Sequence, residues 1–181
     1  MEWREEKVTK LYRAVAYVSM FIIILTTSYG IIATIFSGVE VVGETFVNVE
    51  FPPIHIFPFF YMKPITWLFS SILLFAFSGL ELSKTRVGLL SPFTISLIKI
   101  AVFAVTSLSL YEVLFNFTLW SGLIATDSLL GKLNPDLIIN PFPNPEIPWN
   151  IVFATKLYLA ATIVGIYLFY FISKYARKEH A

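Results

Sequence analysis

Three ionisable side chains, Lys99, Glu112 and Lys156, lie inside stretches of sequence that are otherwise almost wholly apolar. Charge in such surroundings costs roughly 2.5–3.5 kcal/mol for a Lys or Asp at the centre of a membrane helix, so each needs a partner or a task. Glu112 stands eight residues before Trp120, and Lys156 seven residues after Trp149. If both tryptophans mark one aromatic belt on consecutive antiparallel helices, the two charges lie at one depth. At 1.5 Å per residue that depth is about 10–12 Å inside the belt. Opposite charge at equal depth predicts an intramembrane ion pair, Glu112 with Lys156, that fixes the register of the two helices. Ser109 and Asn116, at i−3 and i+4 from Glu112, extend a polar stripe able to add hydrogen bonds. A carboxylate with a lysine is also the kind of pair that relays protons or holds a cation. No second acid near the bilayer centre continues such a path. Lys99 lies near the inner end of its helix, where it reaches headgroups or meets Glu81 at the inner end of the helix before.

Other chemistries are thin. The chain has no cysteine, which excludes disulfides, thiolate metal sites and cysteine nucleophiles. Its two histidines are His55, in a loop, and His180, in the C-terminal tail, so paired histidine ligands to a haem within the membrane are not available. His55 with Glu40, Glu44, Glu50, Asp127 or Asp136 is the conceivable metal site. A packed or exposed loop histidine is the simpler reading, and neither metal nor cofactor is assigned. The "NFT" at Asn116–Thr118 matches a glycosylation sequon, but at a membrane edge. No glycine-rich phosphate loop or nucleophile elbow occurs, and no motif is specific enough to name a family.

The elements that must hold these residues follow from composition. The 181 residues are 57% hydrophobic and 14% charged. A soluble domain of that size cannot hide so much apolar surface. Four stretches are long enough to cross a bilayer as helices: about 11–36, 65–82, 92–120 and 149–175. Runs such as "MFIIIL" lack the alternation of strands. All ten prolines fall outside the span interiors, and Ser91 before Pro92 is a good N-cap. The fold class expected is an all-α integral membrane protein, a single domain over 1–181 with four transmembrane helices in an antiparallel bundle. The first apolar run is too long for a cleavable signal peptide.

Basic residues set the orientation. Nine of thirteen, from Arg4, Lys7, Lys10 and Arg13 through Lys84 and Arg86 to Lys174, Arg177 and Lys178, share one side. The other side carries Lys63 and Lys132 against six acids. Both termini are therefore expected in the cytoplasm of a multi-pass cell-membrane protein. The basic residues are topology signals and do not indicate nucleic acid. Two long outer loops remain, 37–64 and 121–148. "VEVVGETFVNVEF", split by Gly43-Glu44, predicts a small β-hairpin in the first loop. "PPIHIFPFFYMKP" predicts a segment lying across the helix ends. "NPDLIINPFPNPEIP" predicts a stiff irregular segment. Thr26/Gly30 and Ala161/Gly165 fit the small-x-x-x-small pattern of helix contacts, inside the chain or between chains.

With no catalytic group, 17% aromatic residues and two structured outer loops, the reading is a small accessory subunit of a larger membrane complex. Its expected partners are the lipid bilayer and other membrane subunits. Two alternatives stand beside it. One is a homo-oligomeric transporter or channel using Glu112 and Lys156. The other is a membrane enzyme or quinone-reactive subunit using Glu112 or His55.

Overall fold

The computed structural model describes residues 2–38, 43–48, 55–57, 60–61, 63–131 and 150–176. Four long helices carry the fold: α1 (Glu2–Ser37), α3 (Pro64–Leu82), α5 (Pro92–Leu129) and α6 (Ile151–Tyr175). Two one-turn helices join them, α2 (Glu44–Asn48) and α4 (Lys84–Gly88). A minimal antiparallel ladder, β1 (His55–Phe57) with β2 (Phe60–Tyr61), lies between α2 and α3.

The helix starts follow local chemistry. Pro64 opens α3, where its fixed φ suits the first turn and its missing N–H is no loss. Ser91 caps α5, its hydroxyl accepting from the Thr94 N–H at 3.2 Å. Asn150 caps α6, its Oδ1 accepting from Val152 at 3.0 Å and Phe153 at 3.1 Å. Hydroxyls along the helices are satisfied by the carbonyl one turn back, as at Thr26 (2.7 Å), Thr106 (2.7 Å) and Thr162 (2.9 Å). That is what an apolar medium without water demands.

Two helices outrun the expected spans. The N-terminal polar segment continues α1 back to Glu2. One of its helical turns is braced by Glu6 and Lys10, 2.7 Å apart at i,i+4 spacing. α5 runs past Trp120 to Leu129, because "SGLIATDSL" contains nothing that stops a helix. At 1.5 Å per residue α5 is about 57 Å long, nearly twice the roughly 30 Å of hydrocarbon.

Packing orders the long helices α1–α3–α6–α5, in an open row. α1 lies along α3, α3 along α6, and α6 along α5. The rings of Tyr12 and Phe77, then Phe77 and Tyr167, link α1, α3 and α6 at the end that holds the chain termini, with centroids 5.8 and 5.3 Å apart. The opposite, loop end holds the core: Phe46, Val47, Ile65, Leu68 and Phe153. By depth Ser19 on α1 and Ser71 on α3, both buried, stand nearly opposite one another, small side chains that let the helices close.

The β-hairpin expected across Gly43-Glu44 is not supported. Gly43, at φ +89°, turns the chain into α2 instead. A strand would send alternate side chains to opposite faces. Here the consecutive residues Thr45, Phe46 and Val47 are all buried, because α2 is pressed among α1, α3 and α6. The outward limbs of that hairpin (39–42 and 49–50), most of the "PPIHIFPFFYMKP" segment and the proline-rich segment within 132–149 lie outside the described residues.

Candidate functional site

Three groupings of polar side chains interrupt the apolar helices. The first is at the loop end. The Thr45 and Thr34 hydroxyls lie 3.1 Å apart, and both reach the Gly30 carbonyl, at 3.3 and 2.7 Å. Gly30 is needed there, since a Cβ would run into the Phe46 ring. A Cβ at Gly43 would meet Phe153 in the same way. The grouping locks α2 in place.

The second lies along the contact of α5 with α6 and contains the charges singled out from the sequence. Gly165 of α6 faces Thr106 of α5, and Phe103 faces Phe169 with centroids 6.5 Å apart. This antiparallel register sets Glu112 level with about Leu159. Lys156 is then about 5 Å nearer the loop end. Rotation separates the two further. Lys156 precedes Gly165 by nine residues, two and a half helical turns, so it points away from the side of α6 that meets α5. Among the described residues Glu112 and Lys156 form no ion pair.

Glu112 itself is half-buried. It stands at the edge of the α5 stripe that packs on α6, beside the buried Ser109 and Val113. Asn116 is half-buried one turn further on. The polar stripe therefore runs from the buried Ser109 to the half-buried Glu112 and Asn116, on a helix with little of its surface covered. Of the 38 residues of α5, Ile95, Ser109 and Val113 are buried. Leu108, Tyr111 and Phe115, around Glu112, are 50–66% exposed. The Trp120 Nε1, two turns along, is buried and has no acceptor among the described residues.

The third grouping is at the terminal end. The Tyr167 hydroxyl donates to Glu81 Oε1 at 2.8 Å, joining α6 to α3. Glu81 therefore takes a tyrosine as its partner, and Lys99, on α5 across α6, does not meet it. Sequence reasoning missed Tyr167. The signal was available: a tyrosine near the end of the last span, at the depth of Glu81. Next to this pair a half-open cleft of about 370 Å³ is lined by Glu5, Tyr12, Glu81 and Lys84 with Val8 and Leu82. Lys174 lies 5.7 and 5.4 Å from the ring centroids of Tyr170 and Tyr175, a cation–π anchor at the helix end. The glycines of the Thr26/Gly30 and Ala161/Gly165 patterns are used inside the chain, Gly30 by Phe46 and Gly165 by Thr106.

Among the described residues no group of three or more His, Asp or Glu side chains is placed to hold a metal ion. No protein-family model, curated protein or solved structure matches the chain. Four helices are long and apolar enough to cross a membrane, at 32, 19, 38 and 25 residues. The fold is thus that of a helical membrane protein. What it does there has to be argued from its own surfaces.

Proposed function

We propose that the chain is a small accessory subunit of a larger membrane complex, with no catalytic centre of its own and with both termini in the cytoplasm of a cell-membrane protein. The observation that carries this reading is the open row of helices. A self-sufficient four-helix bundle closes on itself, each helix meeting two neighbours. Here α1 and α5 stand at the two edges, each lying along one long neighbour. α5 also holds a mid-membrane carboxylate that its own chain, as described, does not pair. Lipid covers the purely apolar part of such an edge well, since acyl chains are as apolar as leucine. It does not satisfy Glu112. The excess of basic residues at the terminal end supports the orientation.

Native mass spectrometry of the protein, extracted gently from its own membranes, tests the reading. The expected result is a mass that no whole number of copies of the 20.6 kDa chain accounts for, with other subunits attached. A monomer or a pure homo-oligomer would overturn it.

A further inference from the structure

We infer that the flank of α5 around Glu112 receives a membrane-spanning helix of another protein, and that this helix carries a lysine or arginine at the depth of Glu112. The inference rests on the accessory-subunit reading and gives the partner a chemistry.

Depth comes first. Glu112 is level with about Leu159, eight residues into α6, which places it about 12 Å below the start of that helix. A glutamate has too short a stem to bring its carboxylate back to the interface over that distance, as a lysine or arginine would. A lipid ammonium headgroup stays at the interface and does not reach it either.

The chain's own cations are then accounted for. Two basic residues, Lys99 and Lys156, lie in the interiors of the spans, whereas Arg13 and Lys174 stand at their terminal-end edges. Lys99 is thirteen residues back along α5, about 20 Å away. Lys156 precedes Gly165, the residue of α6 that meets Thr106 of α5, by two and a half helical turns, and so lies on the side of α6 turned from α5. A second copy seated flank to flank on α5 would bring neither group to Glu112: Lys99 is at the wrong depth and Lys156 is on the side of α6 turned from α5. The complementary charge therefore belongs to a different polypeptide.

The surroundings fit such an anchor. Leu108, Tyr111 and Phe115 form an exposed apolar collar, and the Tyr111 and Phe115 rings stack with centroids 6.1 Å apart. A partner helix seated on the collar would exclude lipid and water from the charge pair and so strengthen it. Asn116, half-buried one turn further on, can hold one of the partner's remaining donors.

The test is photo-crosslinking in native membranes, with the full chain carrying a photoreactive residue in place of Leu108 or Phe115. The same residue in place of Phe21, on the exposed side of α1, serves as the comparison. The expected product joins α5 to a membrane span of another protein, with a Lys or Arg within one turn of the joined residue. Glu112→Gln, which keeps the side-chain shape, should lower that product at least tenfold. Glu112→Lys should abolish it, and exchange of the partner's basic residue for glutamate should restore it. A crosslinked span without a basic residue, a product with a second copy of the chain, or an undiminished yield in Glu112→Gln would each overturn the inference. If subunits co-purify but α5 captures lipid alone, the inference fails and the accessory reading survives. If no subunit co-purifies, both fail.

Discussion

The loop end and the middle of α5 are built on opposite plans. Around α2, at the loop end, the demands are met within the chain. Phe46 and Phe153 pack with centroids 5.0 Å apart, Ile65 has no exposed surface, and the Thr45 hydroxyl finds Thr34 and the Gly30 carbonyl. The two glycines that permit this, Gly30 and Gly43, lie directly under the rings they admit. In the middle of α5 the apolar residues face outward and a carboxylate stands among them without a described partner. One region is finished by folding. The other, on the proposed reading, is finished by binding. Substitutions should therefore act on the isolated chain at the loop end and on the assembly at α5.

The largest expected effect is at the finished region. Phe153→Ala removes the ring that Phe46 and Gly43 pack on, and should lower the stability of the isolated chain by about 3–5 kcal/mol. Thermal unfolding in detergent would show it, and a loss below 1 kcal/mol would mean that α2 is not held by this core. Gly165→Leu drives a side chain into Thr106 and should cost about 1–3 kcal/mol. Engineered disulfides between α5 and α6, placed on the observed register, should then form more slowly. Tyr167→Phe removes the hydrogen bond to the Glu81 carboxylate and should cost about 1.5 kcal/mol in the same melting assay. Thr45→Val should cost about 1 kcal/mol, loosening α2 without displacing it. The smallest effect belongs to Lys10→Ala. The Glu6–Lys10 pair is more than half exposed on both sides and should be worth at most about 0.5 kcal/mol.

Different parts of this arrangement were legible in the sequence for different reasons. The four spans are readable because length and hydropathy suffice to define them. The starts of α3 and α5 are readable because Pro64 and Ser91 act locally. The end of α5 is not. Trp120 marks an interface for a ring, but nothing in "SGLIATDSL" obliges the helix to stop there. The turn at Gly43-Glu44 misleads for a related reason. A glycine with positive φ serves a hairpin or a helix entry equally, and the choice is made by α1, α3 and α6 closing around Phe46.

Glu112 and Lys156 give the clearest lesson. Counting residues from tryptophans yields depth to within about one turn. It does not yield rotation about the helix axis. That is decided by which small residue a neighbour packs against, here Gly165 under Thr106. Depth is written along one helix, whereas rotation is settled between two.

The most direct test of the account is the sign of one substitution measured twice. Wild type and Glu112→Leu would be melted as isolated chains in detergent and again as the assembly extracted from native membranes. The account predicts opposite signs. The isolated chain should be unchanged or stabilised, since an unpaired mid-membrane charge is replaced by an apolar side chain. The assembly should fall apart at lower temperature, having lost one side of a buried charge pair. A loss of stability in the isolated chain as large as in the assembly would contradict it, and would make Glu112 part of the chain's own core.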